Sequence, residues 1–272
     1  MASIHPTAIV DPSARLGDGV EVGAYSIVES DVEIGAGTVL RPHAIVRQYT
    51  TMGTGNTVDS HAVLGGLPQD YKFDADSKTY LQIGNDNIFR EGVTVSRATG
   101  EGKVTVVGNG TYFMAGSHAG HNAVVGDRVI LVNSAAGAGH SEIGPGAIFS
   151  AFSAVHQFCW VGQMVMVQAT AIITMHVPPY VIVAAPVNSV AGLNSVGLRR
   201  AQHINDEDRK QIKEAFRLTY RSGLTPAKAL EEMDACTDWG EAADTFRRFV
   251  RRVIEAEPPN KRGLCPMRSR AL

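Results

Sequence analysis

Residues 16–46 read LGDGVEVGAYSIVESDVEIGAGTVLRPHAIV. Their aliphatic residues stand six apart: Leu16, Val22, Val28, Ile34, Leu40 and Val46. An amphipathic helix repeats apolar residues about every 3.6 positions and a half-buried strand about every 2, so neither explains this spacing. A period of six is that of a hexapeptide β-helix, in which each hexad supplies one short strand and a turn. Three hexads close one triangular coil of about eighteen residues, and coils stack at about 4.8 Å over a continuous aliphatic column. No coil is stable alone, because each buries its apolar face only against its neighbours.

The period extends both ways from this stretch. Eleven consecutive hits run from Ile4 to Leu64, with Met52 and Val58 among them. The fifth position of the hexad is often small or β-branched, as at Ala8, Ala14, Val20, Thr38, Ala44 and Ala62. The run breaks at GGLPQDYKFDADSKTYLQ, residues 65–82, and resumes at Ile83, Phe89 and Val95. A second excursion, RATGEGK at 97–103, precedes twelve more hexads from Val107 to Ile173, with Ala119 and Gly137 the weak members. A parallel β-helix is therefore expected over 1–190, with two insertions.

The spacing then turns helical, giving an expected C-terminal α-helical domain over 191–257. Asn205 precedes an acidic first turn. Ile212, Ala215, Phe216, Thr219 and Tyr220 form one face of that helix, and Gly223 follows its end. Thr225-Pro226 starts a second helix. Asp238 is the expected cap of a third, with Phe246, Phe249, Val250, Val253 and Ile254 inward and Arg247, Arg248, Arg251 and Arg252 outward. The polar stretch 258–272 reads as a mobile tail.

Composition narrows the function. Lys and Arg total 25 against 27 Asp and Glu, which gives no general signal for nucleic acid. Cys159, Cys236 and Cys265 lack metal spacing and suggest a reducing compartment without a disulfide framework. The N-terminus MASIHPTAIV has no secretory n-region or h-region, and no apolar run reaches the roughly 18 residues needed to span a bilayer. The expectation is a soluble, cytoplasmic protein without membrane insertion.

An eighteen-residue coil converts sequence into position. In FMAGSHAGHN, residues 113–122, His118 and His121 share a coil. Gly139-His140 and His156-Gln157 fall above them on the next two coils, so four histidines form a strip. None is at the inward first or fifth position of its hexad. The other histidines, His5, His43, His61, His176 and His203, read as solvated surface residues. Cys159, at a fifth position, reads as a small core residue. The strip admits three readings. Histidines on such a helix can bind zinc, but His118 and His121 have no acidic neighbour. The strip can also be plain surface. The third reading is acid–base chemistry: a neutral imidazole takes a hydroxyl proton at neutral pH. With an activated electrophile such as a thioester, no enzyme nucleophile is needed, and a backbone N–H at Gly139 is placed to hold the oxyanion.

The chain resembles the UDP-N-acetylglucosamine acyltransferases of lipid A biosynthesis. The resemblance rests on HPTAIV (5–10), QDYKF (69–73), HAGHN (118–122), AGH (138–140), AVHQFC (154–159), VPPYVI (177–182), GLRR (197–200) and YRSGLT (220–225). It implies a left-handed parallel β-helix, a homotrimer with sites between subunits, no cofactor, and a 3-hydroxyacyl group passing from acyl carrier protein to the 3-position of a UDP-sugar. Residue by residue it implies His121 as general base and Gly139 as oxyanion donor. Lys72, His118, His140 and His156 would position substrate. Gln69, Asp70, Gln157, Asn194 and Arg200 would contact the sugar nucleotide, and Ala169 would limit acyl length. Apart from the resemblance, the basic face of Arg247, Arg248, Arg251 and Arg252, with Arg200 nearby, is expected either to help dock an acidic carrier protein or to be a plain solvated face. Three positions depart from the family: Asn122 replaces an aspartate after the base, Val196 a glutamate and Ala201 an arginine. The related N-acyltransferases carry His-Asn at the base, so a 3-amino acceptor is an alternative to the hydroxyl. A zinc lyase and a non-catalytic scaffold are the alternatives from other classes.

Overall fold

Ile4 pairs in parallel with Val22, Val10 with Val28, and Leu16 with Ile34, each an offset of eighteen residues. The hexad is thus one side of a triangle and three hexads make one turn. The computed structural model describes residues 1–185, 188–236 and 238–268. It winds into a left-handed parallel β-helix whose three faces are sheets of eleven, nine and eight strands. The aliphatic residue of each hexad points inward, and Val22, Val28, Ile34, Leu40, Val46 and their successors to Ile173 form one continuous buried column. Cys159 is fully buried within it, as its hexad position implies.

The fourth position of the hexad makes the corner. Its backbone is left-handed at φ +58° in Tyr25, +66° in His43, and +57° in both Asn122 and His140. Glycine relieves the strain of this conformation at several corners, and Asn is the side chain that tolerates it best. Corner side chains eighteen residues apart stack. Tyr25, His43 and His61 form an exposed ladder with ring spacings of 5.2 and 5.1 Å.

Both excursions leave the stack intact. Across the first, Met52 pairs with Ile83 and Leu64 with Val95, an offset of 31, so thirteen residues bulge from one coil. Across the second, Ile83 pairs with Val107, an offset of 24, so six more bulge.

The helix ends later than position 190. Strand Val181–Ala184 turns back antiparallel onto Ser189–Leu193, closing the first face. A short helix α1 (Ser195–Arg200) follows, which the spacing did not announce. Helices α2 (Asp206–Tyr220), α3 (Pro226–Ala235) and α4 (Glu241–Ile254) pack on one another through Ile212, Phe216, Met233, Phe246 and Val250. Asn205 caps α2 in a capping box with Asp208, and Thr225 caps α3. Gly240 rather than Asp238 caps α4, its N–H donating to Gln211 Oε1 at 2.7 Å.

Two other expectations change here. Residues 258–268 are not a loose tail: they lie along the last coil, with bridges from Leu264 to His176 and from Met267 to Val190 and with Cys265 buried. Residues 269–272 fall outside the described residues. His176 is fully buried rather than solvated. Its Nδ1 accepts the Trp160 N–H at 3.0 Å, and its Nε2–H donates to the Asn260 carbonyl at 2.6 Å.

Candidate active site

His118 ends up on the outward row of the second face, in register with Thr94 below and Ala136, Ala154 and Ile172 above. His121 stands at the adjoining corner, with Gly139 and Gln157 above it at steps of eighteen. The coil arithmetic thus brings His118, His121, Gly139, His140, His156 and Gln157 into one strip. All six are partly or fully exposed, and none belongs to the aliphatic column.

The hydrogen bonds fix one histidine's tautomer. Asn122 donates from Nδ2 to the Thr99 carbonyl at 3.0 Å, and its Oδ1 accepts the Thr99 N–H at 2.9 Å. The amide therefore has only one possible orientation. The same Oδ1 lies 2.9 Å from His121 Nδ1, so that nitrogen must be the N–H. In the neutral ring Nε2 then carries the lone pair. It faces Gly139 so closely that a Cβ on Gly139 would stand 2.6 Å from it. The Gly139 N–H donates to no acceptor among the described residues.

The neighbouring imidazoles are biased toward neutrality. Burial lowers the His118 pKa, and the proximity of His121 adds to that, while its Nδ1 shares a 2.8 Å hydrogen bond with the Thr94 hydroxyl. Burial and His121 likewise lower His140, partly opposed by the carboxylate of Asp70. The His140 ring meets His121 edge-on at 5.1 Å and stacks on Phe158 at 4.7 Å. His156 donates from Nδ1 to the Gln157 carbonyl at 3.0 Å. These partners hold the histidines singly, and among the described residues no group of three or more His, Cys, Asp or Glu side chains is arranged to hold a metal ion. Cys159 is no nucleophile: burial pushes its thiol up to about 11.

The longer insertion reaches this strip, since Asp70 acts on His140. Gln69 and Lys72 are exposed on the same turn, where the Lys72 N–H donates to Asp70 Oδ1 at 2.9 Å. Asn194 and Arg200 are not brought to the strip within one chain. Asn194 caps α1, accepting from the Gly197 N–H at 3.0 Å and donating to the Met164 carbonyl at 3.0 Å, at another corner of the β-helix. Arg200 is exposed at the end of α1. Ala169 lies exposed at the corner on the far side of the second face, above Ala151 and Asn133. Thr99, which orients His121 through Asn122, was not among the expected site residues. Its only sequence signal was its place in an excursion.

The arginines of α4 do not form a free basic face. Arg247 pairs with Asp234 and Asp244, Arg248 with Glu241 and Asp244, and Arg251 with Asp234. Arg252 grips Glu142 with two bonds of 2.6 and 2.7 Å and lies 3.6 Å over the Trp160 ring.

Known proteins resemble this chain in sequence and in fold. A family profile described as "Udp N-acetylglucosamine O-acyltransferase; Domain 2" matches residues 176–265, and one for hexapeptide transferase repeats matches 13–48. An acyl-[acyl-carrier-protein]–UDP-N-acetylglucosamine O-acyltransferase of Thiobacillus denitrificans is 48% identical over 230 residues, which is 84% of this chain and 88% of that one. One of Anaeromyxobacter dehalogenans is 47% identical over 92% of this chain and 96% of its own. The crystal structure of a UDP-N-acetylglucosamine O-acyltransferase from Moraxella catarrhalis superposes with a TM-score of 0.89 at 36% identity, covering 96% of this chain and 99% of that one.

Proposed function

The chain belongs to the acyl-[acyl-carrier-protein]–UDP-N-acetylglucosamine O-acyltransferases, and from that premise we propose how its own residues carry the reaction. The activity is transfer of an acyl group from acyl carrier protein to an oxygen of UDP-N-acetylglucosamine, a step of lipid A biosynthesis. On our reading the group is 3-hydroxyacyl, the acceptor is the 3-hydroxyl, and the setting is the cytoplasm, where the carrier protein works.

The observation that supports this most is the locked tautomer of His121. Its Nε2 takes the proton of the acceptor hydroxyl as the oxygen attacks the thioester carbonyl. The Gly139 N–H receives the oxyanion of the tetrahedral intermediate. Collapse breaks the C–S bond, and the imidazolium returns its proton to the leaving thiolate. Asn122 orients the base without offering a negative charge to the imidazolium. His118, His140, His156 and Lys72 position the substrates, and Gln69, Asp70 and Gln157 contact the sugar nucleotide. The acyl chain lies along the outward row of the second face. Ala136 and Ala154 leave that row shallow between His118 and Ile172, and Ala169 bounds it.

A homotrimer completes the site on this reading. Two of the three outer faces carry long apolar rows, such as Ile88, Tyr112, Ile130, Ile148, Met166 and Ile182 in mutual register. Asn194 and Arg200, distant from the histidines of their own chain, would then serve those of another. Mass measurement of the product formed from 3-hydroxyacyl carrier protein with UDP-N-acetylglucosamine or its 3-amino analogue tests the acceptor. A product from the amino sugar alone would overturn the hydroxyl assignment.

A further inference from the structure

Three consecutive residues of the shorter insertion tie separate parts of the site together. The Arg97 N–H donates to the Gly66 carbonyl at 2.9 Å and the Ala98 N–H to the Tyr80 carbonyl at 3.2 Å. Gly66 and Tyr80 lie near the two ends of the longer insertion. The next residue, Thr99, makes the two bonds that orient Asn122 and through it His121.

The Arg97 side chain is the unusual member. It is only 5% exposed, and its guanidinium lies 5.2 Å from the Tyr49 ring centroid and 5.5 Å from that of Phe73. Both Nε and Nη1 are buried without a hydrogen-bond partner. Burial lowers its pKa, Tyr49 partly offsets this, and the nearby Arg47 opposes its charge further, while Glu29 favours it but is itself paired with Arg47 at 3.2 Å. A buried cation so poorly matched is a cost to folding that an apolar side chain of similar length would avoid. What it holds is Phe73, by attraction to the ring face. Phe73 closes the turn that carries the predicted acceptor contacts: its N–H donates to the Asp70 carbonyl at 3.0 Å, next to the Lys72 bond to the same residue.

We propose that Arg97 is a positioning residue, whose guanidinium docks the Phe73 turn of the longer insertion on the coil that also orients the general base. The proposal rests on the reading that this insertion contacts the sugar nucleotide. It gives Arg97 a kinetic role purchased against stability.

The test compares Arg97→Met, Phe73→Leu and the double variant in the full-length protein, with melting temperature, kcat, and KM for each substrate. Arg97→Met should melt no lower than the parent, yet lose about tenfold or more in kcat/KM for UDP-N-acetylglucosamine while KM for the carrier protein holds. The double variant should be no worse than Arg97→Met, because two members of one contact do not add. A lower melting temperature with unchanged kinetic constants would overturn the proposal, as would fully additive losses. Lys72→Ala separates the underlying reading. If it leaves KM for the sugar nucleotide unchanged, the insertion does not bind acceptor, whereas coupling between Arg97 and Phe73 would still appear in the cycle.

Discussion

His121 and His176 carry the same side chain into opposite surroundings. His121 has one nitrogen committed to Asn122 and the other open toward Gly139. His121→Ala should therefore lower kcat by roughly 10²–10⁴-fold with the fold intact, since the residue is outside the buried column; circular dichroism and steady-state kinetics on the same sample check both halves. His176 has both nitrogens engaged inside the protein, and burial lowers its pKa. The unfolded chain, titrating near 6.5, then binds a proton more readily than the folded one. Stability from this residue is complete above about pH 6.5 and declines as pH falls below it toward the folded value. The charges facing it are Arg252 and Arg262, which disfavour the imidazolium, and Glu142, which favours it. Protection of the 258–268 amides in hydrogen exchange should thus weaken between pH 7 and pH 5, and His176→Gln should flatten that dependence. Coil arithmetic located the histidine strip because those histidines lie inside the regular hexads. It misread His176, which follows the last regular hexad and is covered by a segment 84 residues downstream.

Among the elements, the strands were the most legible and the helix charges the least. A six-residue period fixes each strand's inward side chain, so the column from Val22 to Ile173 could be read residue by residue. The length of the longer insertion could not, since only strand pairing shows that thirteen residues lie outside the stack. Helix α1 has six residues with Gly197 inside it, too short for any periodic signal. The arginine row of α4 was visible, but its partners Asp234 and Glu142 come from elsewhere in the chain, and Glu241 and Asp244 lie on the helix's own first turn. Being neutralised, that row should contribute little to docking: replacing Arg248 and Arg251 with Gln should leave the salt dependence of KM for the carrier protein unchanged. A steep loss of that dependence would restore the row as the docking face. At the corner bounding the second face, Ala169→Met should shift donor preference toward a chain shorter by a few carbons. Overpacking costs about 1–3 kcal/mol, more than the roughly 0.8 kcal/mol recovered per buried CH₂. Competition between carrier proteins bearing mixed chain lengths measures the shift.

At the scale of the whole molecule, a solenoid's stability is a sum over neighbouring coils, and the two ends of this one differ. The C-terminal end is closed by the hairpin Val181–Ala184 with Ser189–Leu193 and by residues 258–268. The first coil covers its column least, with the inward Ile4 47% exposed. The column is therefore a zipper locked at its hairpin end, and among the described coils the one around Ile4 opens most readily. On the second face five strands precede His118. Amide exchange should accordingly slow coil by coil from the Ile4 coil onward, and the coil bearing His118 and His121 should stay closed while the first ones open and shut. Those early coils act as a sacrificial length of thread, shielding the chemistry from the unravelling of the end.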